Sequence, residues 1–119
     1  MPARPLAARV RYQPGGAVID LQGEINAFGS TALSDAYAEA ERHNPDVVLL
    51  NFAGVDYINS TGIALIVGLL AKARAARRRL VVCGLSEHYV EIFQITRLSD
   101  FMTMFPDEES ALAGATLEG

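Results

Sequence analysis

The stretch Asp46-Val47-Val48-Leu49-Leu50-Asn51-Phe52, followed by Val55-Asp56-Tyr57-Ile58-Asn59-Ser60-Thr61-Gly62, decides the fold. Its first part is short, apolar and β-branched, which predicts a strand over 46–52 covered on both faces, as in a parallel sheet. Beyond Gly62 the chain runs to Arg79 without proline and is rich in Ala, Leu, Lys and Arg, so 61–79 reads as a helix with Ser60 or a neighbour as its cap. Ser60 therefore stands where a strand's outlet becomes a helix. A hydroxyl at that point faces unpaired N–H groups and the positive end of the helix dipole, surroundings that suit a phosphate. Ser, Thr and Asn are also preferred N-caps, so Asn59, Ser60 or Thr61 equally fits a purely structural role.

Outward from this junction the pattern stays α/β. Arg9 to Tyr12 and Ala17 to Gln22 alternate around the turn residues Pro14-Gly15-Gly16, which predicts an antiparallel hairpin. Helical spacing over 30–42 places Leu33, Ala36, Tyr37 and Ala40 on one face. Leu80 to Cys83 reads as a strand, 86–96 as a short helix, 101–105 as a last strand and 107–115 as a terminal helix. The expectation is a single domain spanning 1–119 with its core at about 9–116 and short flexible tails. Its mixed sheet of about five strands is packed by about four helices.

Composition narrows the function. The 119 residues are 50% hydrophobic, enough for one ordinary core. Ten Lys and Arg stand against fourteen Asp and Glu, a net charge of −4 that argues against nucleic acid as a partner. The cluster Lys72, Arg74, Arg77, Arg78 and Arg79 fits the solvated end of a helix, where cations complement the dipole. Cys83 lies within an apolar strand and reads as a core thiol. His43 and His88 are isolated, without metal-ligand spacing, so no metal or cofactor is expected. The longest apolar stretch, Ile63 to Ala71, is far shorter than the roughly 20 residues of a membrane span. The N-terminus lacks the apolar segment of a signal peptide, so a cytoplasmic protein is expected. Ser60 has no histidine or lysine at a spacing that argues for a base, so no enzyme activity is expected. Nothing in the sequence sets the oligomeric state.

The segment Asn51 to Leu70, with Asp-Tyr-Ile-Asn-Ser-Thr-Gly running into an apolar helix, resembles the signature of STAS-domain anti-sigma-factor antagonists. Gly23-Glu24-Ile25-Asn26, Leu80 to Ser86 and Glu91 to Leu98 are similar to further segments of that family, in the same order. The likeness extends from about Arg9 to Leu112. It implies a phosphorylation-switched binding module with no catalytic residues. The unmodified form would bind an anti-sigma factor that is also a serine kinase, and a serine phosphatase would reverse the modification. Ser60 would be the phosphoacceptor, with Thr61 as the alternative. Two positions depart from the family pattern: many members carry Asp where Asn59 and Asn26 stand, and an amide cannot carry the carboxylate's charge.

Two further readings share these features, a STAS scaffold or accessory subunit of a transporter or signalling complex, and a small-ligand or nucleotide-binding module. In the second helix, Ile63, Ile66, Leu70, Ala73 and Arg77 share one side, and Ala64, Gly68, Ala71 and Ala75 the other. The partner surface is expected at Asn26, Asn59, Ser60, Thr61 and Gly62, continuing along the small stripe Ala64, Gly68 and Ala71. Gly62 is expected to let a partner approach the helix start.

Overall fold

The computed structural model describes the backbone of residues 4–118 and side chains through residue 114. One five-stranded sheet runs in the order β1 (Ala7–Gln13), β2 (Gly16–Ile25), β3 (Val47–Ile58), β4 (Arg79–Cys83) and β5 (Met104–Phe105). The hairpin pair β1 and β2 is antiparallel, and every later neighbour is parallel. The connections are α1 (Ser30–Glu41), α2 (Ser60–Ala75) and α3 (Glu87–Ile95), and α4 (Glu108–Glu118) closes the chain. The observed architecture is the mixed α/β sandwich read from the sequence.

The period of two along the strands sorts their side chains between two cores. Ala17, Ile19, Leu21 and Ile25 of β2 join Val48, Leu50 and Phe52 of β3 and Leu80 and Val82 of β4 on one face. Leu33, Tyr37 and Ala40 of α1, Ile66, Leu70 and Ala73 of α2, and Tyr89 and Phe93 of α3 cover that face. The rings of Phe52 and Phe93 meet edge to face, with centroids 6.2 Å apart. The opposite face buries Val18, Leu49, Val81 and Cys83 beneath Ala111 of α4. A strand buried on both sides has no need to alternate, which explains the unbroken apolar run in β3.

Beside α4 the second face turns polar. Arg11 of β1 grips Asp20 of β2 through two hydrogen bonds and reaches Glu108 of α4, while Asn51 donates to Asp20 at 2.9 Å. The Arg11 guanidinium, with help from Asn51, holds the Asp20 carboxyl below its ordinary range against the opposing effect of burial. This network ties the terminal helix to the hairpin.

Several boundaries differ from the sequence reading. β3 does not stop at Phe52 but continues to Ile58. Beyond Asn51 it stays paired with β2 through two register shifts, with Gln22 opposite Gly54 and Ile25 opposite Ile58. Gly54 permits the first shift, because a Cβ there would lie 2.8 Å from Gln22 Cγ and 2.9 Å from the Leu21 carbonyl oxygen. α2 ends at Ala75 rather than Arg79. Arg77 adopts a left-handed φ of 59°, and the Arg78 N–H turns back to the Ala73 carbonyl at 2.8 Å. Arg79 then opens β4, donating its N–H to the Asp46 carbonyl at 2.9 Å. β5 is only two residues long and follows a 3-10 turn at Leu98–Asp100. Residues 4–8 are not simply a tail, since β1 begins at Ala7 and the Arg4 carbonyl accepts the Glu24 N–H at 3.1 Å. Residues 1–3 and 119 lie outside the described residues. The last helix reaches Glu118, beyond the expected end near Ala115.

Candidate functional site

The parallel strands β2 and β3 end side by side, and each is followed by an asparagine. Ile25 pairs with Ile58, and the Asn59 N–H donates to the Ile25 carbonyl at 3.2 Å. Asn59 is extended (φ −91°, ψ −179°) and is the N-cap of α2, its Oδ1 accepting the Gly62 N–H at 2.8 Å. Its carbonyl also takes the Ile63 N–H at 2.9 Å, starting the helical ladder. Asn26 does the same for a 3-10 turn at Ala27–Gly29, where its Oδ1 accepts the Phe28 N–H at 3.0 Å.

These caps change the meaning of the two asparagines. Each uses a carbonyl oxygen on a backbone N–H, and an amide supplies that oxygen as well as a carboxylate does. The site therefore keeps its local geometry without two negative charges. With Asn59 as the cap, Ser60 is left out of the capping role and stands exposed as the first helical residue. No acidic residue occupies the first turn of α2. Asp56, the nearest upstream carboxylate in sequence, pairs with Arg4 at 2.6 Å on the surface.

The structure brings together most of the residues expected at the site. Ser60, Thr61, Ala64, Gly68 and Ala71 are all exposed, and Asn26 and Asn59 are half-buried at the strand ends. Gly62 is the exception. It is buried, and a Cβ at that position would collide with the backbone carbonyl of Ile25. The close approach that requires glycine is thus made by the protein's own strand β2. The stripe along α2 is also less smooth than expected, because Val67 lies 43% exposed between Ala64 and Gly68.

Two contributors escaped the sequence reading. Tyr89 of α3 is buried, and its hydroxyl accepts the Ile58 N–H at 2.8 Å, fixing the last residue of β3 before the site. Nothing local marks that contact, which joins positions 31 residues apart. Phe28, within the capped turn, is 96% exposed. Its signal was an aromatic residue two positions beyond Asn26, in a segment that otherwise reads as a loop.

Cys83 is a core residue, 1% exposed, and burial pushes its thiol pKa up to about 11. His43 and His88 are exposed, and His43 stacks on Tyr12 with ring centroids 3.9 Å apart. Among the described residues no group of His, Cys, Asp and Glu is placed to hold a metal ion. No helix among them is long and apolar enough to cross a membrane.

A βαβ sheet with an exposed serine heading the helix after its central strand is the arrangement of a STAS domain, and residues 7–111 match that family. The chain belongs to the STAS-domain family. Its relatives include the anti-sigma-B factor antagonist of Listeria monocytogenes, 31% identical over 84 residues that make up 71% of this chain and 74% of that protein. BtrV of Bordetella bronchiseptica is 30% identical over 101 residues, covering 85% of this chain and 84% of BtrV. Among solved structures, the Bacillus cell fate determinant SpoIIAA in its phosphorylated form superposes with a TM-score of 0.70. It is 21% identical, over 92% of this chain and 99% of that one.

Proposed function

We propose that this chain is an anti-sigma factor antagonist that acts in the cytoplasm by binding rather than by catalysis. In its unmodified form it binds an anti-sigma factor that is also a serine kinase. Phosphorylation of Ser60 ends that binding, and a serine phosphatase restores it. The observation that carries the reading is the division of labour at the helix start: Asn59 takes the cap, and Ser60 stands exposed beside it. The relatives named anti-sigma-B factor antagonist and the phosphorylated form of SpoIIAA support it.

A phosphate on Ser60 adds about −1.5 to −2 charges and a hydrated volume at one point of the surface. The helix N-terminus stabilises that charge in the free protein, while a partner that must dehydrate the surface loses affinity. Asn26, Asn59, Thr61, Ala64, Gly68 and Ala71 surround Ser60 or continue from it along α2, and form the rest of the docking surface.

The test begins with the proteins that co-purify with Ser60→Ala, followed by affinity measurements on the purified partner. Ser60→Ala should bind and resist the kinase, and Ser60→Asp should bind more weakly. Stoichiometric phosphorylation, with the site mapped by mass spectrometry, should release the partner. Unchanged affinity on phosphorylated Ser60 would remove the switch, and phosphate on Thr61 alone would move it by one residue. Recovery of transporter subunits in place of a serine kinase would favour a scaffold.

A further inference from the structure

We infer that Phe28 is the anchor by which this surface grips its partner, inserting into an apolar pocket of the anti-sigma factor. The inference rests on the proposed function and names the chemistry of the same site. Phe28 is 96% exposed, more than Ile95 at 71%, Phe101 at 54% or Tyr57 at 51%. A phenyl ring in water contributes nothing to the core, yet it offers one of the largest apolar areas any side chain can bury on binding.

Phe28 also has an ordered backbone. Its N–H is held by Asn26 Oδ1 at 3.0 Å, and the Gly29 N–H returns to the Asn26 carbonyl at 2.9 Å. Gly29 packs on Leu6 so closely that a Cβ there would lie 2.9 Å from Leu6 Cδ2. The turn is closed at both ends and pressed onto the hairpin, so little backbone entropy remains to be lost when the ring is buried. Asn26 is thus a positioning residue that acts through Phe28. The turn that carries Phe28 contacts α2, the helix that Ser60 begins. Phe28 lies three residues beyond Ile25, whose carbonyl accepts the Asn59 N–H and underlies Gly62 at the start of α2.

The test uses the anti-sigma factor kinase identified with Ser60→Ala, purified and titrated against variants of the full chain. Phe28→Ala should weaken binding roughly 30-fold or more, as for a buried aromatic hot spot, with an unchanged melting temperature. Asn26→Asp keeps the capping oxygen and should preserve Phe28 placement, whereas Asn26→Ala should lose part of the affinity. If Phe28→Ala binds like the parent while phosphorylation of Ser60 still abolishes binding, the anchor is overturned and the switch stands. If Phe28→Ala loses binding and phosphorylation changes nothing, the anchor stands and the switch falls.

Discussion

Replacing Gly62 with alanine and replacing Gly68 with alanine are the same chemical change in the same helix, and the structure gives them opposite signs. Gly68 is exposed in mid-helix with nothing within 4 Å of the Cβ it would gain. Alanine there gains helix propensity alone, about 0.5–1 kcal/mol of added stability. At Gly62 the new Cβ meets the Ile25 carbonyl, a backbone atom held within β2 that cannot rotate away. The first turn of α2 must lift, which overfills a packed junction at about 1–3 kcal/mol. It also stretches the Asn59 to Ile25 hydrogen bond, 3.2 Å in the parent and worth about 1 kcal/mol. After the propensity gain the net loss is about 2 kcal/mol.

At roughly 4 °C per kcal/mol for a domain of this size, Gly62→Ala should melt about 8 °C below the parent and Gly68→Ala slightly above it. Urea denaturation of both variants with a common slope gives the energies directly. A Gly62→Ala protein as stable as the parent would show that α2 does not rest on Ile25, and the account of the helix start would fail with it.

Other expectations follow from the same contacts. Asn59→Ala should lose about 1 kcal/mol with its cap and Asn59→Asp should not, as urea titration will show. Because the folded-state Asp20 carboxyl titrates below its ordinary range, its ion pair stabilises the fold above the unfolded-state pKa. That stability should fade as pH falls through the folded value, and Asp20→Asn should flatten this acid limb in melts run across pH. Cys83, with its thiol pKa pushed up to about 11, should resist a disulfide reagent at neutral pH until the protein is unfolded. Cys83→Ser should lower stability yet leave partner affinity intact. Ala71→Arg on the exposed face of α2 should fold normally and impair partner binding in the titration used for Ser60→Ala.

The apolar run Val47 to Leu50, the alternation in the hairpin and the proline-free stretch after Gly62 determined the element order and the mixed sheet. Each is a local pattern whose period equals that of the structure it forms. The exposed serine at the helix start was legible for the same reason, and so was the burial of Cys83. Other features depended on residues distant in the chain. β3 extends to Ile58 because β2 remains beside it, and Gly62 faces inward because Ile25 lies beneath it. Tyr89 reaches back 31 residues to hold the strand's end. Which asparagine caps which turn, and which aromatic is left in water, is decided by where the ends of β2 and β3 meet. That meeting is a long-range pairing, and no local period in the sequence records it.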